Sequence, residues 1–171
     1  IADGRMDINR VVRDTIGLFQ GSGRAPANVT LSSSPHPDSP CAEGDGLLLR
    51  QILLNLIANA VEALPQGGAV RIAVNGQINR NGRLYTELTV SDDGPGIPAT
   101  ELAQLFAPQP SAKGGDHQVL GLSIVHGLIG ELKGDITCRS SRHGTCFQIL
   151  LPAAGPRSTS IAGQSLRGAL A

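Results

Sequence analysis

Large aromatic side chains are almost absent from this sequence. Phe, Tyr and Trp together make up 2% of its 171 residues, and Trp does not occur. A hydrophobic core must therefore be built from Leu, Ile, Val and Ala. The shortage also argues against binding of single-stranded nucleic acid, because such surfaces stack bases on exposed aromatic rings.

Charge of either sign is also scarce. Charged residues make up 16% of the chain, and 14 Lys and Arg residues balance 14 Asp and Glu residues. A chain without a basic excess is not typical of proteins that bind nucleic acid or polybasic membrane surfaces. Because 40% of the residues are hydrophobic, the composition predicts one folded domain with a sizeable core.

Signals for disulfides and membrane spans are missing as well. The three cysteines, Cys41, Cys138 and Cys146, form no Cys-x-x-Cys pair, and we interpret them as reduced thiols. Cys138 and Cys146 lie in neighbouring predicted strands, so a bridge between them is the alternative. No apolar run approaches the roughly 20 residues of a membrane span, and the first residues do not resemble a signal peptide. We expect a cytoplasmic domain cut from a longer protein that could itself be membrane-anchored.

Hydrophobic periodicity predicts alternating helices and strands, with loops marked by glycine and proline. Helices are expected at 7–19, 45–64 and 119–132, a helical turn at 99–106, and strands at 29–33, 70–78, 84–92, 134–141 and 144–152. This order predicts an α+β fold, a two-layer sandwich in which helices cover one face of a mixed, mostly antiparallel sheet. The domain should span residues 1–152 and a flexible tail or linker residues 153–171, with an irregular segment at 107–118.

Two asparagines lie four residues apart on the helix predicted at 45–64. Asn55 and Asn59 share one helix face, which also carries Glu62. Asparagine is a poor helix former, because its short amide competes for backbone hydrogen bonds. Amide oxygens are hard ligands that suit Mg²⁺ bound together with phosphates. The pair therefore indicates a metal-phosphate site, or alternatively two amides that are only solvated or hydrogen-bonded locally.

A glycine-rich turn follows the strand predicted at 84–92. Its sequence is Asp92-Asp93-Gly94-Pro95-Gly96-Ile97-Pro98. Two glycines allow the backbone to approach a flat ligand closely, and a carboxylate at the edge of the turn can accept a hydrogen bond from an exocyclic amine. Adenine carries such an amine. The alternative is an ordinary Asp-Gly turn without a ligand.

A third segment runs from Phe106 to Ser123. It contains Lys113 and then Leu120-Gly121-Leu122-Ser123 at the start of an apolar helix. The backbone N–H groups of a helix N-terminus can bind phosphate, and a lysine on a loop can close over it as a point charge. Either feature alone is also typical of an ordinary protein surface.

Taken together and in this order, the three motifs resemble the catalytic ATP-binding domain of bacterial sensor histidine kinases. The resemblance covers about residues 7–152 and rests on LRQILLNLIANAVEAL, VSDDGPGIP and LGLSIVHGLI, with Gly144-Thr145 before the last strand. In that family these are the N, G1, F, G2 and G3 boxes of the Bergerat ATP-binding fold, which also occurs in DNA gyrase, heat-shock chaperones and mismatch-repair ATPases. The resemblance implies ATP and Mg²⁺ as cofactors.

The resemblance also implies a role for each matching residue. Asn59 would coordinate Mg²⁺, Asn55 would support the metal and phosphates, and Asp92 would receive the adenine amino group. The other implied ATP contacts are Gly94, Gly96 and Ile97 in the adenine pocket, Lys113 as the lid lysine, Gly121 and Leu122 beside the phosphates, and Thr145 near the base.

The sequence departs from the family pattern at three places. His117-Gln118-Val119 stands where family members usually carry Gly-x-Gly, which removes backbone contacts to phosphate and predicts a lowered nucleotide affinity. Gln109-Pro110 replaces the usual second Phe of the F box. Glu62 replaces a common Lys or Arg and resembles the branch related to nitrogen-regulation kinases.

None of the four histidines stands in the context of a phosphoacceptor. In the family, that histidine lies in a helical hairpin and is followed by an acidic residue. The resemblance therefore implies that this chain holds the phosphoryl donor site, without an acid-base catalyst of its own. Its implied partners are the dimerisation domain of its parent chain and a response regulator. The fragment should be monomeric and its parent a homodimer.

Three other functions use the same fold. A gyrase-like hydrolase would carry Glu at the position of Asn55 to activate water, and asparagine cannot act as that base. A regulatory module that binds nucleotide or a partner with weak or no phosphotransfer is compatible with the altered segment at 117–119. A serine kinase of the anti-sigma type is a further possibility, which a dimerisation hairpin encoded beside this segment would exclude.

Overall fold

Eleven helices and strands make up the part of the chain that the structure, a computed structural model, describes: residues 4–107 and 117–155. In chain order they are β1 (Arg5–Asp7), α1 (Ile8–Gly21), β2 (Val29–Ser34), β3 (Cys41–Glu43), α2 (Gly46–Glu62), β4 (Gly68–Arg80), β5 (Arg83–Asp92), α3 (Ala99–Leu102), α4 (His117–Glu131), β6 (Asp135–Ser141) and β7 (Gly144–Pro152).

The main sheet has five strands in the order β2-β4-β5-β7-β6. β2 runs parallel to β4, and the other neighbouring pairs are antiparallel. The hairpin between β4 and β5 turns through Asn81 and Gly82, whose φ angles of 55° and 82° are those that an Asn-Gly turn supplies. The predicted mixed, mostly antiparallel sheet is confirmed.

Aspartate caps start the first two long helices. The Asp7 side chain accepts a hydrogen bond from the Arg10 backbone N–H at 3.3 Å, and Asp45 accepts one from that of Leu47 at 2.9 Å. Both bonds satisfy N–H groups that have no partner inside the helix. These two helices therefore begin where their capping residues predict.

Helix α4 begins two residues before the predicted start at Val119. The sequence predicts an irregular backbone at His117 and Gln118, but these two residues form the first residues of the helix. The segment from His117 to Leu120 contains neither glycine nor proline, so nothing in it prevents the helix from starting early. The rest of the predicted irregular segment, 108–116, lies outside the described residues.

The hydrophobic core lies between the helices and one face of the sheet. Alternate β5 residues Thr86, Leu88 and Val90 are buried on this face. The opposite face is polar: the Glu87 carboxylate accepts hydrogen bonds from Asn75 on β4 at 3.0 Å and from Gln148 on β7 at 2.5 Å. This alternation confirms the two-layer arrangement.

A second, two-stranded sheet of β1 and β3 has no counterpart in the sequence prediction. Each strand has three residues, too few for a period of two to be recognised. The chain returns to this sheet after β7, because Ala153 forms a bridge with Ala42 and the Ala154 N–H donates to the Cys41 carbonyl at 3.1 Å. The predicted boundary at residue 152 stays a prediction, since 156–171 lie outside the described residues.

The three cysteines are free, as expected. Cys138 pairs with Phe147 across the strands, whereas Cys146 pairs with Arg139. Directly paired residues share a face and successive residues alternate, so the two thiols lie on opposite faces of the sheet. The alternative of a bridge between them is therefore excluded by the strand register. Within the described residues, no helix combines the length and the apolar character that a membrane crossing requires.

Candidate functional site

A cavity of about 650 Å³ opens between α2, the loop after β5, α3, α4 and β7. Six of the residues singled out in the sequence line it: Asn59, Asp92, Gly96, Ile97, Leu122 and Thr145. They come from distant parts of the chain and from all three motifs. The fold therefore gathers most of the predicted site around one space large enough for a nucleotide-sized ligand.

Asn59 forms the wall of the cavity on α2. Its Nδ2 atom is buried and has no hydrogen-bond partner within the part of the chain that the structure describes. Gly121 of α4 lies beside this amide, since a Cβ atom on Gly121 would stand 3.7 Å from Asn59 Oδ1 and 3.8 Å from Nδ2. A buried amide without a partner costs free energy, so this wall is suited to a polar ligand.

Asn55 lies one helical turn earlier and is not part of the cavity wall. Its Oδ1 atom accepts a hydrogen bond from Gln51 Nε2 at 3.0 Å. An amide oxygen has two lone pairs, so one remains for a second partner. The structure thus separates the two asparagines that the sequence treated as a pair: one faces the cavity and the other stands beside it.

Asp92 ends β5, lines the cavity and pairs with Thr145 across the strands. Its Oδ1 atom accepts a hydrogen bond from the Gly94 backbone N–H at 2.8 Å. Burial raises the pKa of the Asp92 carboxyl, and the neighbouring Asp93 charge raises it further, while backbone N–H groups of Gly94 and Thr145 partly offset this. A half-buried carboxylate that still has lone pairs to accept a further hydrogen bond is suited to an amine donor.

The neighbouring Asp93 lies in the opposite environment. It is bonded to the Arg71 guanidinium at 3.0 Å and to the Ala69 N–H at 3.0 Å. The Arg71 hydrogen bond holds the pKa of the Asp93 carboxyl below its usual range. The two adjacent aspartates thus have different tasks, because Asp93 anchors the strand end and Asp92 remains available to the cavity.

The glycines of the loop after β5 allow its close approach to the rest of the sheet. Gly96 has a φ of +86°, and a Cβ atom there would collide with the Ser141 carbonyl oxygen. A Cβ on Gly94 would lie only 2.8 Å from Asp92 Oδ1. Neither position accepts a side chain without displacing the groups that shape the cavity.

Three aromatic rings pack together next to the cavity. Phe106 stacks on His126 of α4 with ring centroids 5.6 Å apart, and it meets Phe147 of β7 edge to face at 6.3 Å. Phe147 also lines the cavity. His126 thus has a packing role, which agrees with its not being a phosphoacceptor candidate.

Several lining residues were not singled out in the sequence. Phe147 could have been found, because it follows Thr145 by two residues on a strand and therefore shares its face. Three others, Ala60, Ala63 and Pro95, lie inside the quoted motifs but had no role assigned to them, and four belong to no motif: Thr100, Glu101, Gln104 and Leu105. Ser140 was also missed; its hydroxyl lies 2.9 Å from that of Thr145. Lys113 lies outside the described residues.

The sequence and the fold are those of a known family of ATPases. Residues 44–155 match the family described as histidine kinase-, DNA gyrase B-, and HSP90-like ATPase, and the chain belongs to it. The predicted family and fold class are thereby confirmed.

More particular relatives are sensory histidine kinase/phosphatases named NtrB. The chain is 34% identical over 162 residues to NtrB of Rhizobium leguminosarum bv. phaseoli, covering 87% of this chain and 42% of that protein. It is 37% identical over 151 residues to NtrB of Escherichia coli O157:H7, covering 85% and 42%. The chain thus spans less than half the length of these curated relatives.

Solved structures agree with this relationship. The catalytic domain of the histidine kinase ThkA superposes with a TM-score of 0.70 at 25% identity, covering 86% of this chain and 93% of that one. Full-length ShkA in complex with AMPPNP superposes with a TM-score of 0.71 at 26% identity, covering 90% and 31%.

Proposed function

We propose that this chain is the ATP-binding catalytic domain of a sensor histidine kinase. It would donate the γ-phosphoryl group of ATP to a histidine on a dimerisation domain outside this chain. The observation that carries the proposal is the cavity itself, which is lined by a half-buried carboxylate and by an amide whose buried nitrogen has no hydrogen-bond partner among the described residues. Membership of the ATPase family and the likeness to kinases such as NtrB and ThkA support it.

The Asp92 end of the cavity would bind adenine. The Asp92 carboxylate has two oxygens, each with two lone pairs, so beside its backbone hydrogen bonds it can accept another from the exocyclic amine of the base. Thr145 stands beside it on β7, and Gly94, Gly96 and Ile97 form the loop that would lie against the flat ring. A purine with an amino group therefore matches this end in both shape and hydrogen bonding.

The Asn59 end would bind the phosphates and Mg²⁺. Its amide offers an oxygen for the metal and N–H groups for phosphate, and Asn55 would support it from the preceding turn. Gly121, in the second turn of α4, lies beside this amide, Leu122 follows it in the cavity wall, and Lys113 would add a positive charge. Bound Mg²⁺ would neutralise charge on the phosphates, whereas the residues of the chain would hold and orient them.

The remaining parts of the proposal follow from this role. The acceptor histidine would lie on the dimerisation domain of the parent chain, and the phosphoryl group would pass on to a response regulator. This fragment would be a monomer, its parent a homodimer, and ATP as the substrate favours a cytoplasmic location. A chain that only positions and neutralises phosphates needs no acid-base residue of its own.

Calorimetric titration with ADP and with AMPPNP, with and without Mg²⁺, tests the nucleotide site. We expect binding of AMPPNP that requires Mg²⁺ and that is strongly weakened in Asn59→Ala and in Asp92→Asn. The matched controls are Asn75→Ala and Asp135→Asn on the polar face of the sheet, which should bind like wild type. No binding at millimolar nucleotide would contradict the proposal.

Phosphotransfer requires the full-length parent protein. Incubated with ATP labelled at the γ-phosphate, it should become labelled on histidine, and Asn59→Ala should abolish the label. A parent protein that binds AMPPNP normally but never becomes labelled would contradict kinase activity and favour a regulatory module.

A further inference from the structure

Ser140 belongs to none of the family motifs, but it lies where the loop after β5 meets strands β6 and β7. It lies near the end of β6 and pairs directly with Thr145 of β7, so the two side chains share one face of the sheet. That face borders the cavity, because Thr145 lines it. Ser140 itself is not among the lining residues, so any influence on a ligand must pass through its neighbours.

The Ser140 hydroxyl oxygen joins three parts of the site. It accepts a hydrogen bond from the Ile97 backbone N–H at 2.7 Å, which attaches the loop after β5 to β6. It lies 2.9 Å from Thr145 Oγ1 and 3.4 Å from the Gly144 carbonyl oxygen. One oxygen atom thus contacts the loop at the predicted adenine pocket, the β6–β7 turn and the hydroxyl of the cavity-lining residue Thr145.

The number of hydroxyl hydrogens limits the donor and acceptor roles that Ser140 and Thr145 can have. Ile97 is the donor to Ser140, so the single hydroxyl hydrogen of Ser140 must go to Thr145 or to Gly144. Either oxygen can be the donor in the 2.9 Å contact between the two hydroxyls, whereas the Gly144 carbonyl can only accept and lies farther from Ser140, at 3.4 Å. When Ser140 donates to Thr145, the hydrogen of Thr145 remains available to a ligand in the cavity that this residue lines.

We infer that Ser140 is a positioning residue of the nucleotide site. It anchors the loop at Ile97 and orients the Thr145 hydroxyl as a hydrogen-bond donor toward a ring nitrogen of the bound purine. The inference rests on the proposed function, and it adds a determinant of base specificity beside Asp92. Asp92 selects the exocyclic amine, whereas the Ser140-Thr145 pair selects a ring-nitrogen acceptor on the same edge of the base.

The test compares two ligands that differ only at that ring nitrogen. Mg²⁺·ADP has an acceptor at position 1 of the base, whereas Mg²⁺·1-deaza-ADP has a C–H group there and keeps the amine. By calorimetry, wild type should bind ADP about fivefold more tightly, the size expected for one hydrogen bond. In Ser140→Ala both ligands should bind more weakly, and the preference for ADP should fall to about one.

Two variants separate positioning from a general structural effect. Ser140→Thr keeps the hydroxyl and should restore the preference for ADP. Thr137→Ala removes a hydroxyl from the same strand on the opposite face, where it bonds to Gln148 at 3.1 Å, and it should keep the wild-type preference. A purely structural role of Ser140 would weaken both ligands equally and leave their ratio unchanged.

The outcomes distinguish the two proposals. Failure of wild type to bind ADP would contradict the nucleotide site itself. Binding of both ligands with equal affinity by wild type, or an unchanged preference in Ser140→Ala, would overturn the role of Ser140 while the nucleotide site stands. If Ser140→Ala does not fold, as judged by circular dichroism, Thr145→Val removes the hydroxyl that Ser140 is inferred to orient and keeps a side chain of similar shape, and an unchanged preference in that variant would equally overturn the inference.

Discussion

Asp92 and Asp93 are chemically identical neighbours whose surroundings differ. Asp92 ends the central strand beside the cavity, where burial raises the pKa of its carboxyl. Asp93 is exposed and bonded to Arg71, which lowers the pKa of its carboxyl. At the scale of single residues, the backbone turn after β5 therefore decides which carboxylate is available to a ligand.

The raised pKa of Asp92 predicts a pH dependence of nucleotide binding. Only the ionised carboxylate is a pure acceptor for an amine, so affinity should be complete above the Asp92 pKa and fall as the pH decreases through it. Because this pKa is raised, the loss should begin at a higher pH than for an ordinary aspartate. Calorimetry with ADP between pH 4 and 8 measures it.

Asp92→Asn is the control for that titration. Its weak residual binding should follow only the titration of the ADP phosphates, so the ratio of wild-type to variant affinity isolates Asp92. A ratio that stays constant over the whole pH range would contradict the assignment of Asp92 to the base.

Gly96 and Gly82 provide a matched pair for the cost of a side chain. Both have a positive φ, of 86° and 82°, but a Cβ on Gly96 would collide with Ser141, whereas Gly82 has open space around it. We expect Gly82→Ala to cost about 1 kcal/mol from backbone strain alone. Gly96→Ala should cost about 3 kcal/mol, since overpacking adds to the same strain, and should also weaken ADP binding.

Urea unfolding of both variants measures the two costs. Equal losses of stability would mean that the loop moves away from Ser141 without cost. The close packing of the loop against β6 would then have no energetic significance.

Helix α2 is the element that joins the core to the site. Its buried residues, Leu49, Ile52, Leu53, Leu56, Ile57 and Ala60, pack between the sheet and the other helices. Asn59 projects from the same helix into the cavity wall. Because the core residues hold the helix in place, they also set the position of the amide.

Two leucines on α2 test this packing. Leu53 is fully buried, whereas Leu47 is 59% exposed. We expect Leu53→Ala to reduce the free energy of unfolding by about 2–5 kcal/mol, from lost burial and the cavity left behind. Leu47→Ala should change it by less than about 0.5 kcal/mol. Urea unfolding of the two variants side by side gives both values, and equal losses would contradict the orientation of α2.

At the scale of the whole molecule, the two ends of the cavity are held by different layers. Asn59 belongs to the helical layer, and Asp92 and Thr145 belong to the sheet. A ligand that spans the cavity would therefore bind only the folded arrangement of both layers and should stabilise it.

Thermal unfolding measures this coupling. Mg²⁺·ADP at 100 times its Kd should add about 2.7 kcal/mol of stability, which raises the Tm of a chain of this size by about 5–10 °C. The shift should disappear in Asn59→Ala and in Asp92→Asn, and Asn75→Ala should retain it. A shift that survives in both site variants would mean that ADP binds elsewhere.

Much of the fold was predictable because its signals are local. The caps Asp7 and Asp45, the Asn81-Gly82 turn and the alternation along β5 act over a few residues and can be read directly from the sequence. The strands β1 and β3 could not be predicted, because three residues carry no recognisable period. Their stability comes from pairing with each other and with Ala153, far along the chain.

The candidate site divides in the same way. The sequence alone determined the residue types at the site, because Asn59, Asp92 and the glycines belong to motifs of fixed local spacing. Only the tertiary structure decided that Asn59 faces the cavity while Asn55 bonds to Gln51. It likewise decided that Ser140 of β6 supports Ile97 of the loop after β5. Such relations depend on how strands and helices pack over long separations in sequence, and no local pattern encodes that packing.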